Sequence, residues 1–471
     1  MIPMNHVNTK DKTMKKGRTS SIPAAILILA FGAASLQADT FFSRFCDTSC
    51  APCEPVCESA CDPCEPIGGS CTPRNAHPRD CDPCTLFKRN LGCGKKRSLW
   101  DSIEFDGWIQ GGVYVNSRGT TMTRTEGPNY KGRRVSSLDP NSGNGNLLSS
   151  VHLTDPQVNQ IWLNARRVAD GSRGLDWGFA AEVFFGPEAW FAQSWSDAKF
   201  DYGWQDGDYY TAIPQLYFQL AYGDWSMKVG KYETLLGYEA LRAPDFFFYS
   251  HSHMFMMEPL SHSGVLFEYT PNDRFYAALG YTTGGDASFE NKYDDHGFLG
   301  KVSYQFTPQL NASYAIHYSR YGNGRVYPSG DLRWLGGNDT CLHTVTLTYD
   351  FTKKLQYAMQ WNLGDAKDRI TKNHRVMYGV SNYLTYQFNK RWGLGFRAEW
   401  AKDDFDADYG GGWVGYYDGE VQGYTLCLNW KPHENFSVRP EIRYDRCRQR
   451  IFNYGRNKDQ FSGGVCAVIS F

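Results

Sequence analysis

From Arg439 to Asp445 the chain places Arg, Glu, Arg and Asp at every second position, with Pro440, Ile442 and Tyr444 between them. In an extended strand alternate residues share a face, so Arg439, Glu441, Arg443 and Asp445 form a charged ladder opposite Val438, Ile442 and Tyr444. Arg397 and Glu399 repeat the spacing, and Lys228, Lys301, Glu182 and Glu268 add single charges to other segments. Such a ladder can orient an anionic or zwitterionic solute, or it can neutralise itself as scaffolding. The mixed signs argue against a strong filter for either charge. A second concentration, Leu236 to His262, contains APDFFFYSHSHMFMMEPLSH and carries Glu239, Arg242, Asp245 and Glu258. Its His251 and His253, with His262, have a spacing that could hold a metal, but histidines in this setting are more often hydrogen-bonded structure, so no metal and no cofactor are expected. Asp294-Asp295 and Asp403-Asp404 read as solvated loop carboxylates rather than calcium ligands. No G-x-S-x-G and no Ser-His-acid spacing is present, so an enzyme is not expected.

The elements that must position these residues are strands. Period-two alternation marks sixteen segments: 105–116, 157–168, 175–186, 211–222, 225–236, 263–270, 275–284, 297–307, 309–321, 341–351, 355–363, 374–388, 392–402, 419–431, 436–447 and 459–471. Every second connection is a tight turn, such as GD, PNDR, TP, TKK or NKR, and the others are longer. One face of each segment is apolar and the other polar: Tyr424, Leu426, Leu428 and Trp430 stand against Thr425, Cys427 and Asn429. Trp177, Tyr222, Trp225, Phe306, Phe351, Phe388, Trp392 and Trp430 all lie beside the short turns, where an interfacial girdle belongs. The pattern predicts an all-β fold, a 16-stranded antiparallel transmembrane β-barrel with periplasmic turns and extracellular loops, in contact with outer-membrane lipids. A β-sandwich would not need loop lengths to alternate.

The last strand, GGVCAVISF, ends on Phe471. An apolar terminal edge must be covered or closed, and closure onto WIQGGVYVN near the first strand leaves no unpaired edge in hydrocarbon. Sixteen strands leave a lumen wide enough for water. The connection 236–262 is the third long loop, and Phe246, Phe247, Phe248, Tyr249, Met254, Phe255, Met256 and Met257 would not stay in open water. It is expected to fold into the barrel as a constriction, presenting Glu239, Arg242, Asp245 and Glu258 to the channel opposite Arg397, Glu399, Arg439, Glu441, Arg443 and Asp445. A surface cap or a subunit contact is the alternative.

The 471 residues are 15% aromatic, with 47 glycines, yet the mean hydropathy is −0.51. No stretch after residue 40 has the roughly 20 apolar residues of a membrane helix. Near the start, Lys15, Lys16 and Arg18 precede the apolar run Ile22 to Ala34 and Leu36-Gln37-Ala38, which reads as an export signal over 1–38. Removing it takes five basic groups and one acid, leaving 44 basic and 49 acidic residues and a net charge of −5. A mildly acidic exported chain is no nucleic-acid binder. Ten of the 14 cysteines fall between Cys46 and Cys93, in a Pro-rich segment (39–99) too poor in apolar residues to build a core. In an oxidising compartment disulfides are their expected fate, within the segment or to envelope neighbours.

The stretch from GDWSMKVGKYETLLGYEAL through TPNDRFYAALGYTTG resembles the OmpL-like family of β-barrel porins. The motifs are V-G-K-Y (Val229 to Tyr232), G-Y-E (Gly237 to Glu239), Y-S-H-S-H (Tyr249 to His253) and E-P-L-S-H-S-G (Glu258 to Gly264). The likeness covers roughly residues 100–471 and leaves the cysteine-rich segment outside it. It implies an outer-membrane pore passing small hydrophilic solutes, and it brings no catalytic residues. A homotrimer is compatible with sixteen strands. The rival expectation is an envelope anchor tethered through the Cys46–Cys93 segment, its barrel plugged or gated.

Overall fold

The computed structural model describes residues 102–117, 156–194, 200–206, 209–289, 296–320, 338–368, 372–405, 419–450, 452 and 456–471. The export signal and the cysteine-rich segment lie outside the described residues. The strands are β1 (Glu104–Asn116), β2 (Gln157–Arg167), β3 (Asp176–Gly186), β4 (Gln205–Asp206), β5 (Tyr209–Ala212), β6 (Leu216–Tyr222), β7 (Trp225–Glu233), β8 (Ser261–Asn272) and β9 (Phe275–Gly285). They continue as β10 (His296–Gln305), β11 (Leu310–Arg320), β12 (Asn338–Asp350), β13 (Leu355–Asp368), β14 (His374–Asn389), β15 (Trp392–Phe405), β16 (Gly419–His433), β17 (Phe436–Cys447) and β18 (Asp459–Ser470).

Each pairs antiparallel with its neighbours, and β1 pairs with both β2 and β18, so the sheet closes. The barrel has sixteen staves, because β5 and β6 both pair with β3 and form one interrupted stave, while β4 pairs only with β5. The expected continuous strand 211–222 is therefore corrected: Pro214 has no N–H to give the ladder, and Ile213 to Gln215 form the break. The strand after the third long loop begins at Ser261 rather than 263, and the one before it ends at Glu233 rather than 236. Closure is completed at the terminus, where Gly107 N donates to Phe471 O (3.0 Å) and Phe471 N to Gly107 O (2.9 Å).

The outer face is apolar. Leu175, Trp177, Val183, Phe267, Leu279, Val302, Leu426, Ile442 and Ile469 are exposed on it, the arrangement that a hydrocarbon surround stabilises. At the short-turn end Tyr222, Trp225, Phe306, Phe351, Phe388, Trp392 and Trp430 are all exposed, and Trp392 stacks on Trp430 across the ladder (ring centroids 5.6 Å apart). The buried apolar residues lie inside the barrel. Met254, Phe255 and Met257 pack against Met377, Ala401, Val421 and Phe452, while Trp108, Trp162 and Phe184 pack against Ala189, Ala192 and Ala243.

Candidate functional site: the loops in the lumen

Thr234 to Leu260, between β7 and β8, lies inside the barrel. Tyr249 is 3% exposed, and Ser250, Met254 and His253 are 0–1% exposed. Burying each Phe or Met side chain contributes about 1.5–3 kcal/mol, which drives the segment inward. The wall is shaped to take it. A Cβ on Gly395 would lie 2.6 Å from Phe247 and 2.9 Å from Phe248, one on Gly379 2.5 Å from Met254, and one on Gly112 2.6 Å from the Tyr249 hydroxyl. Lumen-facing glycines on β1, β14 and β15 are thus the seats of the loop.

Backbone polar groups carried into the lumen need partners, and the charged ladder supplies them. Glu441 on β17 accepts from Tyr249 N (2.8 Å), Ser250 N (3.1 Å) and the Tyr114 hydroxyl (3.1 Å). Glu399 on β15 accepts from His253 N (2.5 Å). Arg397 donates to Ser250 O (2.5 Å) and His251 O (3.2 Å), Arg443 to His251 O (2.6 Å) and Arg439 to Ala243 O (2.8 Å). The ladder also pairs within itself: Arg443 meets Asp445 at 2.8 Å and Glu399 at 3.1 Å, and Arg397 meets Glu399 at 3.3 Å. All six wall residues are buried.

The loop's own charges face different neighbours. Glu239 accepts from Ser252 N (3.0 Å) and the Tyr383 hydroxyl (2.6 Å), and it pairs with His251 at 3.0 Å and Arg397 at 3.5 Å. Burial alone would raise its pKa, but Arg397 and His251 hold it down at about 2. Among the described residues Glu258 meets no cation directly. Its carboxylate accepts from Thr344, Gln360 and Asn362 at 2.9–3.1 Å, and burial pushes its pKa up to about 8. Arg242 bridges Glu182 on β3 (2.5 Å) and Glu233 at the end of β7 (2.7 Å). Asp245 is exposed, on a 3₁₀ turn with Ala243 and Pro244. His253 lies 3.4 Å from Asp445, and His262 bonds Thr234, so the three histidines are not gathered at one point. Among the described residues no group of three or more His, Cys, Asp or Glu is placed to hold a metal. Of the other charges, Lys228 pairs with Glu268 (3.1 Å) and Lys301 donates to Leu235 O (2.9 Å).

Sequence reasoning missed two things. The loop between β3 and β5 also turns inward: its single helical turn, Ala189–Ala192, packs with Trp190 and Leu241 against Trp108 and Trp162. Its AWFAQSW run carried the same aromatic signal as the third long loop. Neutral amides were also passed over. Gln160 accepts from Trp108 Nε1 (2.7 Å) and Ala243 N (3.2 Å) and donates to Glu188 (2.7 Å) and Leu241 O (2.9 Å), tying both loops to β2. Gln360 and Asn362 tie the loop between β7 and β8 to β13 through Tyr238 N and Met254 O, and their alternation in MQWNLG was the available clue.

Several solved structures are similar to this chain. An anion-selective porin from Comamonas acidovorans superposes with a TM-score of 0.51 at 10% identity, covering 79% of this chain and 99% of that one. The outer-membrane channel DcaP of Acinetobacter baumannii gives 0.49 at 11% identity over 78% and 97%. The trimer form of OmpT from Vibrio cholerae gives 0.48 at 12% over 78% and 99%. Comparison with curated proteins finds no match. A family model described as "Putative beta-barrel porin-2, OmpL-like" matches residues 102–471, the whole of the barrel just described, and the chain belongs to that family of β-barrel porins.

Proposed function

We propose that this protein is an outer-membrane diffusion porin for small hydrophilic solutes, its lumen narrowed by the loop 234–260, with short turns towards the periplasm and the cysteine-rich segment on that side. The observation that carries this reading is the loop itself, seated on wall glycines and gripped through its backbone by Arg397, Glu399, Arg439, Glu441 and Arg443. A loop held by so many groups sets a fixed aperture. Three arginines offset by Glu399, Glu441 and Asp445 leave little net field, so weak charge selectivity is the expectation, unlike the anion-selective Comamonas porin. A homotrimer belongs to the same proposal and is checked by cross-linking in membranes.

A second reading is favoured by one specific observation. The loop is tied to β2 and β3 through Gln160 and Glu182 as well as to β13–β17, so it crosses the lumen instead of lying along one wall. That geometry also suits a gated or plugged barrel serving as an envelope anchor. Single-channel conductance of the refolded protein separates the two, with and without replacement of residues 238–257 by a short linker. Steady ohmic openings that enlarge on replacement support the constricted pore. Silence followed by conductance on replacement supports the plug, and silence from both sinks the porin reading.

A further inference from the structure

The wall is creased. Pro214 breaks one stave, and Gly230 and Gly264, paired across β7 and β8, have φ of +136° and +156°. A Cβ on Gly230 would lie 2.3 Å from Leu216 O, and one on Gly264 2.0 Å from Tyr281 O, so only glycine fits where these strands bend against their neighbours. Gly230 and Gly264 lie side by side, and Pro214 lies three residues along the stave from Tyr217, the other partner of Gly230. On the outer face they open a groove of about 590 Å³, lined chiefly by Leu216, Phe218, Val229, Val265, Tyr281 and Phe289. Its long-loop end is overhung by the segment after β9. There Thr283 Oγ1 donates to Ser263 O and Ser288 O, Ser263 Oγ donates to Ala287 O, and Phe289 meets Phe200 edge-on at 5.3 Å.

We infer that this groove binds one acyl chain of a membrane lipid, in the leaflet on the long-loop side. Depth is the first argument: Leu216 lies six residues, about 20 Å of strand, from Tyr222 in the aromatic girdle, which at a tilt of about 40° is about 15 Å of height. That is within an apolar band about 25 Å tall. Chemistry is the second: among the described residues no charged side chain lines the groove, its walls are aliphatic and aromatic apart from Ser263, Thr283 and Ser288, and the Ser263 and Thr283 hydroxyls are spent on backbone carbonyls, which suits hydrocarbon better than a headgroup or a polar solute. Shape is the third. The convex wall of a second barrel would bridge a narrow concavity and leave a void that forfeits dispersion contacts, whereas a flexible chain fills it. The inference requires the barrel to stand in a membrane and is independent of whether it conducts.

Native mass spectrometry of the barrel extracted from membranes in mild detergent tests it. The wild-type protein is expected to carry one bound lipid, and a Leu216→Trp/Val229→Trp variant, which fills the groove, to lose it. Val302→Trp, on the exposed outer face of β10, is the control and should retain the lipid. Heat-modifiable migration reports folding in each case. Should the filled variant misfold, Phe289→Ala removes the overhang and is expected to lower retention by itself. A lipid-free wild-type barrel, or equal retention in the filled variant and the control, overturns the assignment. So does a filled variant that keeps its lipid but falls from oligomer to monomer, which would make the crease a subunit contact.

Discussion

A carboxylate held by cations and backbone N–H groups titrates differently from one held by neutral amides, and the inward loop has both. Glu239, lowered to about 2 because Arg397 and His251 outweigh burial, favours docking fully above its ordinary value of 4.5. That contribution is lost as pH falls from there through about 2. Glu258 behaves oppositely. Burial, with Glu239 nearby and Lys301 too weak to compensate, lifts it to about 8, so its support is complete below 4.5 and disappears as pH rises through 8. Glu188 in the β3–β5 loop, also raised to about 8 by burial, adds in the same sense. The loop should therefore be held more loosely at pH 9 than at pH 6. Conductance or protease sensitivity of 234–260 at the two pH values checks this, and Glu258→Gln should reduce the difference. An unchanged pH response in that variant would remove Glu258 from the account. Arg443→Ala should destabilise the assembly by about 3–5 kcal/mol, because it strands Asp445 and Glu399 in a buried site. The temperature at which the compact band converts to the unfolded one on gels reads that loss.

At the scale of the element, the loop and its wall are complementary surfaces. Gly395 is the cleanest test of their fit, since the nearest atoms to a Cβ there are the rings of Phe247 and Phe248 and no strand backbone. Gly395→Val suits a strand by propensity and should leave the barrel intact while pushing the loop off its seat. The expected result is larger conductance with unchanged heat-modifiable migration. Gly379→Val would be less informative, because a Cβ there meets Trp400 O as closely as it meets Met254. The alternation that put Arg397 and Arg439 on the inner face was legible in sequence. Their partners were not: a guanidinium that meets Ser250 O or Ala243 O is answering a backbone carbonyl, and every residue type carries one. Pro214, by contrast, was a readable break inside a segment taken as continuous.

For the whole molecule, closure is the condition on which everything else rests. An open barrel would leave the facing edges of β1 and β18 unpaired in hydrocarbon, at several kcal/mol for each unsatisfied group. Gly107 lets Phe471 reach its place: a Cβ there would lie 2.8 Å from the Phe471 ring and 2.5 Å from Trp162 O. Gly107→Val is expected to lower the fraction of protein that reaches the heat-modifiable state, measured on refolding into detergent. Normal yield would mean that the seam tolerates slippage.

The sequence by itself determined the staves. A period of two sorts side chains between lipid and water, short and long connections alternate because successive connections of an antiparallel barrel fall at its opposite ends, and aromatics at the turns mark the interface. Those are local properties, and residues near in sequence express them. Only the tertiary structure decided what fills the lumen and where the wall bends. The contacts of Tyr249 with Glu441 and of Gln160 with Leu241 join residues 192 and 81 positions apart, so no window of sequence contains both partners. The glycine seats and the Gly230–Gly264 crease likewise acquire their meaning from the atom that would occupy the missing Cβ, which is set by a different strand.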